Sequence, residues 1–191
     1  MAIIREGSKE VLLIVDVQAG VVRTAWDTPR IIQNINLALE IARGQGVPVI
    51  WVQHSDSDLI HGSPDWQFAP GLIPAEGELR IEKQFNSSFE QTSLEETLAG
   101  LGASHIILAG AATNWCIRAT AYGALDRGYD LTLIQDAHTT ESIEFEDGAK
   151  IEAADIVREL NVAMQWLSYP GRANTTASAE ELVFAAPGSA R

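Results

Sequence analysis

Short runs that are apolar throughout alternate along the chain with longer stretches in which apolar residues return every three or four positions. Val11-Leu12-Leu13-Ile14-Val15 is uninterrupted and stops abruptly at Asp16. A strand apolar on both sides is one buried on both sides. This run therefore reads as an inner strand of a parallel sheet, with Asp16 at its carboxyl end. After Pro29, the residues Ile31, Ile32, Ile35, Leu39 and Ala42 share one helical face until Gly44 and Gly46 close it.

The same unit recurs. Strands are predicted at 47–52, 79–83, 106–109 and 131–134, with a sixth at 162–167. Helices are predicted at 94–101, stopped by Gly102, at 114–127, stopped by Gly128, and at 149–160. Strands alternating with helices imply right-handed crossovers and a sheet covered on both faces. The expected fold is a three-layer αβα, doubly wound, mainly parallel sheet of five or six strands in the order 3-2-1-4-5-6. One domain is expected over 1–170, with 171–191 as a small, polar tail. The connection 53–78 carries Gly62, Pro64, Pro70, Gly71, Pro74 and Gly77. A loop of that length is usually functional or mobile.

Composition narrows the chemistry. With 26 acidic and 13 basic residues, the net charge of −13 repels a phosphate backbone, so nucleic acid is set aside. No apolar run is long enough to span a bilayer, and the opening MAIIREGSKE has no signal-peptide core. A cytoplasmic location without membrane attachment is expected. The chain has one cysteine, Cys116, so no internal disulfide and no paired-cysteine zinc site can form. That residue is either a buried small hydrophobe or a reactive thiol.

Position favours chemistry at three residues. Ligands of doubly wound sheets bind beyond the carboxyl ends of strands where strand order reverses, here between the first and fourth strands. Asp16 ends the first. The fourth leads through Gly110-Ala111-Ala112-Thr113-Asn114-Trp115 to Cys116, in the first turn of the next helix. A helix amino terminus stabilises a thiolate and binds a developing oxyanion. Asp16 is placed to take the thiol proton and Lys83 to hold both anions together. The spacing of Lys83 also fits a plain surface lysine ending an edge strand.

Leu13-Ile14-Val15-Asp16-Val17-Gln18, Lys83 with Ser88-Phe89-Glu90-Gln91-Thr92-Ser93-Leu94, and Gly110 to Ile117 together resemble the isochorismatase-like cysteine hydrolases. Residues 120–129 and Gln135-Asp136-Ala137 continue the resemblance over roughly 10–167. It implies an isochorismatase-like fold and an Asp16–Lys83–Cys116 triad. It also implies an oxyanion hole from the N–H groups of Ala112 and Cys116, with a cis peptide between Ala111 and Ala112. The chemistry implied is two-step acyl transfer through a thioester, without organic cofactor. Gln18, His54 and Trp115 are the expected substrate contacts, with a small molecule as the expected partner.

Nicotinamidases of this family hold a metal through an Asp-x-His pair. Here the order is reversed in His54-Ser55-Asp56, with His61 beyond, so no metal is expected. Cys116 favours an amide, lactam, imide or ureide over the vinyl ether of true isochorismatases. The stretches 51–56 and 169–172 look most like relatives of streptothricin hydrolase, which opens a lactam. Asp56, Asp58 and Asp65 form either an acidic rim for a cationic substrate or a solvated loop. Trp26 and Trp66 are expected in packing roles and His138 as a satisfied structural histidine. The family usually forms homo-oligomers, for which the segment after Leu160 offers apolar surface. Competing classes are a non-catalytic assembly module and a redox thiol protein, the latter weakened by the lack of a second cysteine.

Overall fold

The computed structural model describes residues 4–184. In chain order the strands are β1 (Lys9–Val15), β2 (Val49–His54), β3 (Leu79–Lys83), β4 (Ala103–Ala111), β5 (Asp130–Thr139), the two-residue β6 (Ile143–Glu144) and β7 (Lys150–Ile151), and β8 (Asn174–Ala177). Six of them form one sheet ordered β3-β2-β1-β4-β5-β8, every neighbouring pair parallel. Strands β6 and β7 pair with each other as a small antiparallel ribbon.

The helices are α1 (Ala19–Val22), α2 (Thr28–Gly44), α3 (Leu94–Leu101), α4 (Arg118–Asp126) and α5 (Ala153–Trp166). Helix α2 presses Ile31, Ile35, Ala38, Leu39 and Ala42 onto one face of the sheet, with Leu12 and Ile14 of β1. Leu94 and Leu98 of α3, Ala121 and Leu125 of α4, and Leu160 and Met164 of α5 cover the other face, with Val11, Leu13 and Val15. The uninterrupted apolar run of β1 is thus explained by two cores, fed by alternate residues of one strand.

Two expectations need correction. Residues 162–166 are the last turn and a half of α5, and no strand forms there. Ile156, Val157, Leu160 and Met164 are buried at helical spacing, while Val162 and Trp166 stand exposed on the opposite side. The sixth strand comes instead from the expected tail: Asn174–Ala177 pairs with 131–134 of β5. An edge strand is buried on fewer sides, so a polar sequence such as Asn174-Thr175-Thr176-Ala177 suffices. Ala179, Leu182 and Phe184 then close over the α2 core. The part of the expected tail at 185–191 lies outside the described residues.

The site end of the sheet depends on one glycine. Gly110 has φ +132°, and a Cβ built there would sit 2.0 Å from the carbonyl oxygen of Val15. Only a residue without a side chain lets β4 come this close to β1 while adopting that backbone. Asp16 and the turn bearing Cys116 follow directly from the two strands that meet there.

Candidate active site

Three strands deliver the three predicted residues to one place. Lys83, the last residue of β3, is not a surface lysine: its side chain is 0 % exposed, although its strand is at the sheet edge. Ile81 faces the α3–α4–α5 core, and two-residue alternation sends Lys83 to the same side. Unbroken alternation from Ile14 would send Asp16 to the α2 face. A φ of +52° at Asp16 breaks the alternation, and its Oδ2 lies 2.6 Å from Lys83 Nζ. Lys83 Nζ also donates to Cys116 Sγ at 3.3 Å and to the Phe85 carbonyl at 3.1 Å.

Cys116 does not begin an ordinary α-helix. It sits within a π-helical turn, Thr113–Ile117, that precedes α4, and its side chain is half-buried. The peptide between Ala111 and Ala112 is cis. The Ala112 carbonyl accepts from the N–H groups of Trp115 and Ile117 at 3.0 and 3.1 Å, which turns that oxygen into the turn.

Electrostatics reverse one sequence expectation. Burial and the neighbouring Asp16 carboxylate, opposed by Lys83, push the Cys116 thiol up to about 12. The resting group is therefore a neutral thiol rather than a thiolate, because the nearby carboxylate and desolvation outweigh the lysine. Burial likewise raises the Asp16 carboxyl above its ordinary value, against the pull of Lys83. A carboxylate with raised proton affinity beside a neutral thiol is suited to take the proton during attack.

The expected substrate contacts fare differently. Gln18 is fully buried beneath the site: its amide N–H2 donates to the carbonyls of His54 at 3.0 Å and Trp66 at 2.9 Å, and its oxygen accepts the His54 N–H at 2.8 Å. With these groups used, it fastens the long loop to β1 and β2 and presents nothing to a ligand. Gln53, which the sequence reading did not single out, holds the same Trp66 carbonyl at 3.0 Å. The His54 ring points inward, with Nδ1 3.3 Å from Lys83 Nζ and Nε2 2.9 Å from Asp56 Oδ2. Trp115, next to Cys116, is 58 % exposed and free to meet a ligand.

Two of the three loop acids are held by partners within the protein. Asp56 Oδ1 accepts the N–H groups of Asp58 and Leu59 at 2.8 and 2.7 Å, and these bonds together with His54 hold its carboxyl below the usual range. Asp65 is ion-paired with Arg23. His61 packs against Trp66, with ring centroids 4.4 Å apart and the planes tilted by 53°, and reaches Glu82 at 3.1 Å. Two hollows share Ser55, Gln84 and Phe85: one of about 300 Å³ reaches Lys83, and one of about 520 Å³ reaches Asp56 and His61.

The isochorismatase domain model matches residues 10–161. The chain belongs to the isochorismatase family. An isochorismatase from Pseudomonas putida KT2440 superposes with a TM-score of 0.82 at 31% identity, covering 93% of each chain. Among curated relatives, maleamate amidohydrolase of Pseudomonas putida is 29% identical over 66% of this chain and 60% of its own length. Streptothricin hydrolase of Streptomyces noursei is 31% identical over 70% of this chain and 56% of its own length. The chain thus spans a little over half the length of each of these two relatives, and their nearly equal likeness singles out neither substrate.

Within this family fold, the turn bearing Cys116 is stapled from behind. Buried His138 accepts from Thr113 Oγ1 at its Nδ1, 2.9 Å away, and donates from Nε2 to Asn161 Oδ1 at 2.9 Å. Asn161 Nδ2 donates to the Gln135 carbonyl, which fixes the amide orientation and hence the histidine tautomer. Thr140 Oγ1 adds a bond to Asn114 at 2.6 Å. His138 is therefore structural, as expected, and burial pushes its pKa down to about 4. A depressed histidine stabilises the fold fully above its unfolded pKa of about 6.5 and loses that contribution as pH falls towards 4. Urea unfolding at pH 7 and pH 5 should show a loss of about 2 kcal/mol from this residue. His138→Gln should reduce the difference between the two pH values by that amount; an unchanged difference would mean that the buried ring does not titrate.

Proposed function

We propose that the chain is a cysteine amidohydrolase that cleaves a non-peptide carbon–nitrogen bond of a small amide, lactam or ureide. The observation that carries this reading is the contact of one buried ammonium, Lys83 Nζ, with Asp16 Oδ2 at 2.6 Å and Cys116 Sγ at 3.3 Å. Asp16 accepts the thiol proton as Sγ attacks the carbonyl carbon. The negative charge moves to the carbonyl oxygen, where the N–H groups of Ala112 and Cys116 are assigned to receive it. Collapse breaks the carbon–nitrogen bond, and Asp16 returns the proton to the leaving nitrogen.

Water completes the cycle. Asp16 takes a proton from it, hydroxide adds to the thioester, and collapse expels the sulfur, which regains its proton. The net change is amide plus water to acid plus amine. Lys83 keeps Asp16 ionised and offsets charge on sulfur throughout. Maleamate amidohydrolase and streptothricin hydrolase among the relatives support an acyl–nitrogen substrate.

The test is a panel of maleamate, streptothricin, ureidoacrylate, carbamoylsarcosine, nicotinamide and isochorismate. Turnover is followed alongside intact mass of the acid-quenched enzyme and alkylation of Cys116 by iodoacetamide. Hydrolysis of a carbon–nitrogen member, an acyl mass on Cys116 and loss of turnover in step with alkylation are expected. Turnover of isochorismate alone, surviving complete alkylation, would replace this reading with vinyl-ether hydrolysis.

A further inference from the structure

We infer that Asp56 and His54 act as a positioning pair that fixes the orientation of the Lys83 ammonium through a single histidine tautomer. The inference rests on the triad reading above but concerns residues outside the triad. Register places the pair: His54 and Lys83 are partners across the β2–β3 ladder, so their side chains rise from the same face side by side. The backbone of His54 is held on both sides by the Gln18 amide, leaving the ring little freedom.

The hydrogen-bond inventory then sets the protons. Asp56 Oδ2, 2.9 Å from Nε2, can only accept, so Nε2 carries the ring proton. Nδ1 is left with a lone pair, and that lone pair faces Lys83 Nζ at 3.3 Å. The ammonium has three hydrogens and three hydrogen-bond partners, the Phe85 carbonyl, His54 Nδ1 and Cys116 Sγ, with Asp16 Oδ2 beside them as its ion-pair partner at 2.6 Å. No hydrogen is spare, so each acceptor helps set its rotation. A ring with the opposite tautomer would aim an N–H at the ammonium, donor against donor, and push it away from sulfur.

Asp56→Asn isolates this effect. The N–H groups of Asp58 and Leu59 both point at one oxygen of residue 56, so an asparagine keeps its carbonyl there and turns its NH2 towards His54. The loop bonds survive while Nε2 must become the acceptor and Nδ1 the proton carrier. Exchanging carboxylate for amide in an aspartate–histidine pair reverses the tautomer in this way. Loss of the outer partner that orients a metal-bound histidine costs about 10- to 100-fold, and a loss of that order is expected for this pair.

The experiment uses the full chain labelled with 15N-histidine. The wild type should show His54 Nδ1 unprotonated and Nε2 protonated, and Asp56→Asn should reverse the two resonances. Alkylation of Cys116 should slow severalfold in Asp56→Asn, because a displaced Lys83 no longer favours the thiolate. On a substrate found by the panel, kcat should fall about 10- to 100-fold with KM within about twofold. His54→Asn can still present an oxygen to Lys83 and should keep kcat well above that of His54→Leu. A protonated Nδ1 in the wild type, or unchanged alkylation when the tautomer has reversed, overturns the inference. The resonances and the alkylation rate need no substrate, so they judge the pair even if the hydrolase reading fails.

Discussion

Cys116→Ala should abolish turnover, by roughly 10⁴-fold or more, while the melting temperature moves by only a few degrees. The asymmetry follows from where the sulfur sits. It is half-buried at the rim of the α3–α4–α5 core, so removing it opens a small space that solvent or Trp115 can fill. It does not disturb the Asp16–Lys83 ion pair, which lies fully within the protein. No second thiol can take its place, since the chain has a single cysteine. Cys116→Ser keeps a nucleophilic atom in place but trades a thiol for a hydroxyl with a far higher pKa, and should retain little more activity than alanine. Ammonia or amine release measured with enzyme in large excess over any wild-type contamination checks both variants. Residual turnover above about one part in 10³ of wild type would mean that the sulfur is not the attacking group.

How much of this site could be read from the sequence depended on whether a residue's surroundings are local in the chain. Asp16 was legible because an apolar run that stops at an acid is a local pattern, and Cys116 because one cysteine at a strand-to-helix junction needs no partner to be noticed. Lys83 was ambiguous, since burial of an edge-strand lysine depends on the register between β2 and β3 and on the backbone of Asp16 turning its carboxylate to the same side. The spacing of 162–167 is short enough to fit either a strand or a helical turn, and only the packing of Leu160 and Met164 on the core decides it. Strand β8 carries almost no apolar signal, because what holds it is main-chain pairing to β5 and the bonds of Asn174 Nδ2 to the carbonyls of Met164 and Leu167. For His54 the sequence shows its place at the junction of strand and loop but not which way its ring turns.

Asp16→Asn should produce two effects of opposite sign at the same sulfur. The carboxylate raises the thiol pKa and Lys83 lowers it. With the carboxylate gone, the lysine acts unopposed, so more thiolate is present at pH 8 and iodoacetamide should label Cys116 faster than in the wild type. Turnover should nevertheless fall about 10²- to 10⁴-fold, because no group remains to take the thiol proton during attack, return it to the leaving nitrogen and activate water. The variant should also be less stable by about 3–5 kcal/mol, as the Lys83 ammonium stays buried without its counter-charge. In the wild type, kcat/KM should rise with pH as Asp16 loses its proton, with a midpoint above the ordinary carboxylate value because burial raises this group. Asp16→Asn should lack that rise. Slower labelling together with lost turnover would show that Lys83 does not enrich the thiolate once the carboxylate is gone, and the charge-offsetting role assigned to the lysine would have to be withdrawn.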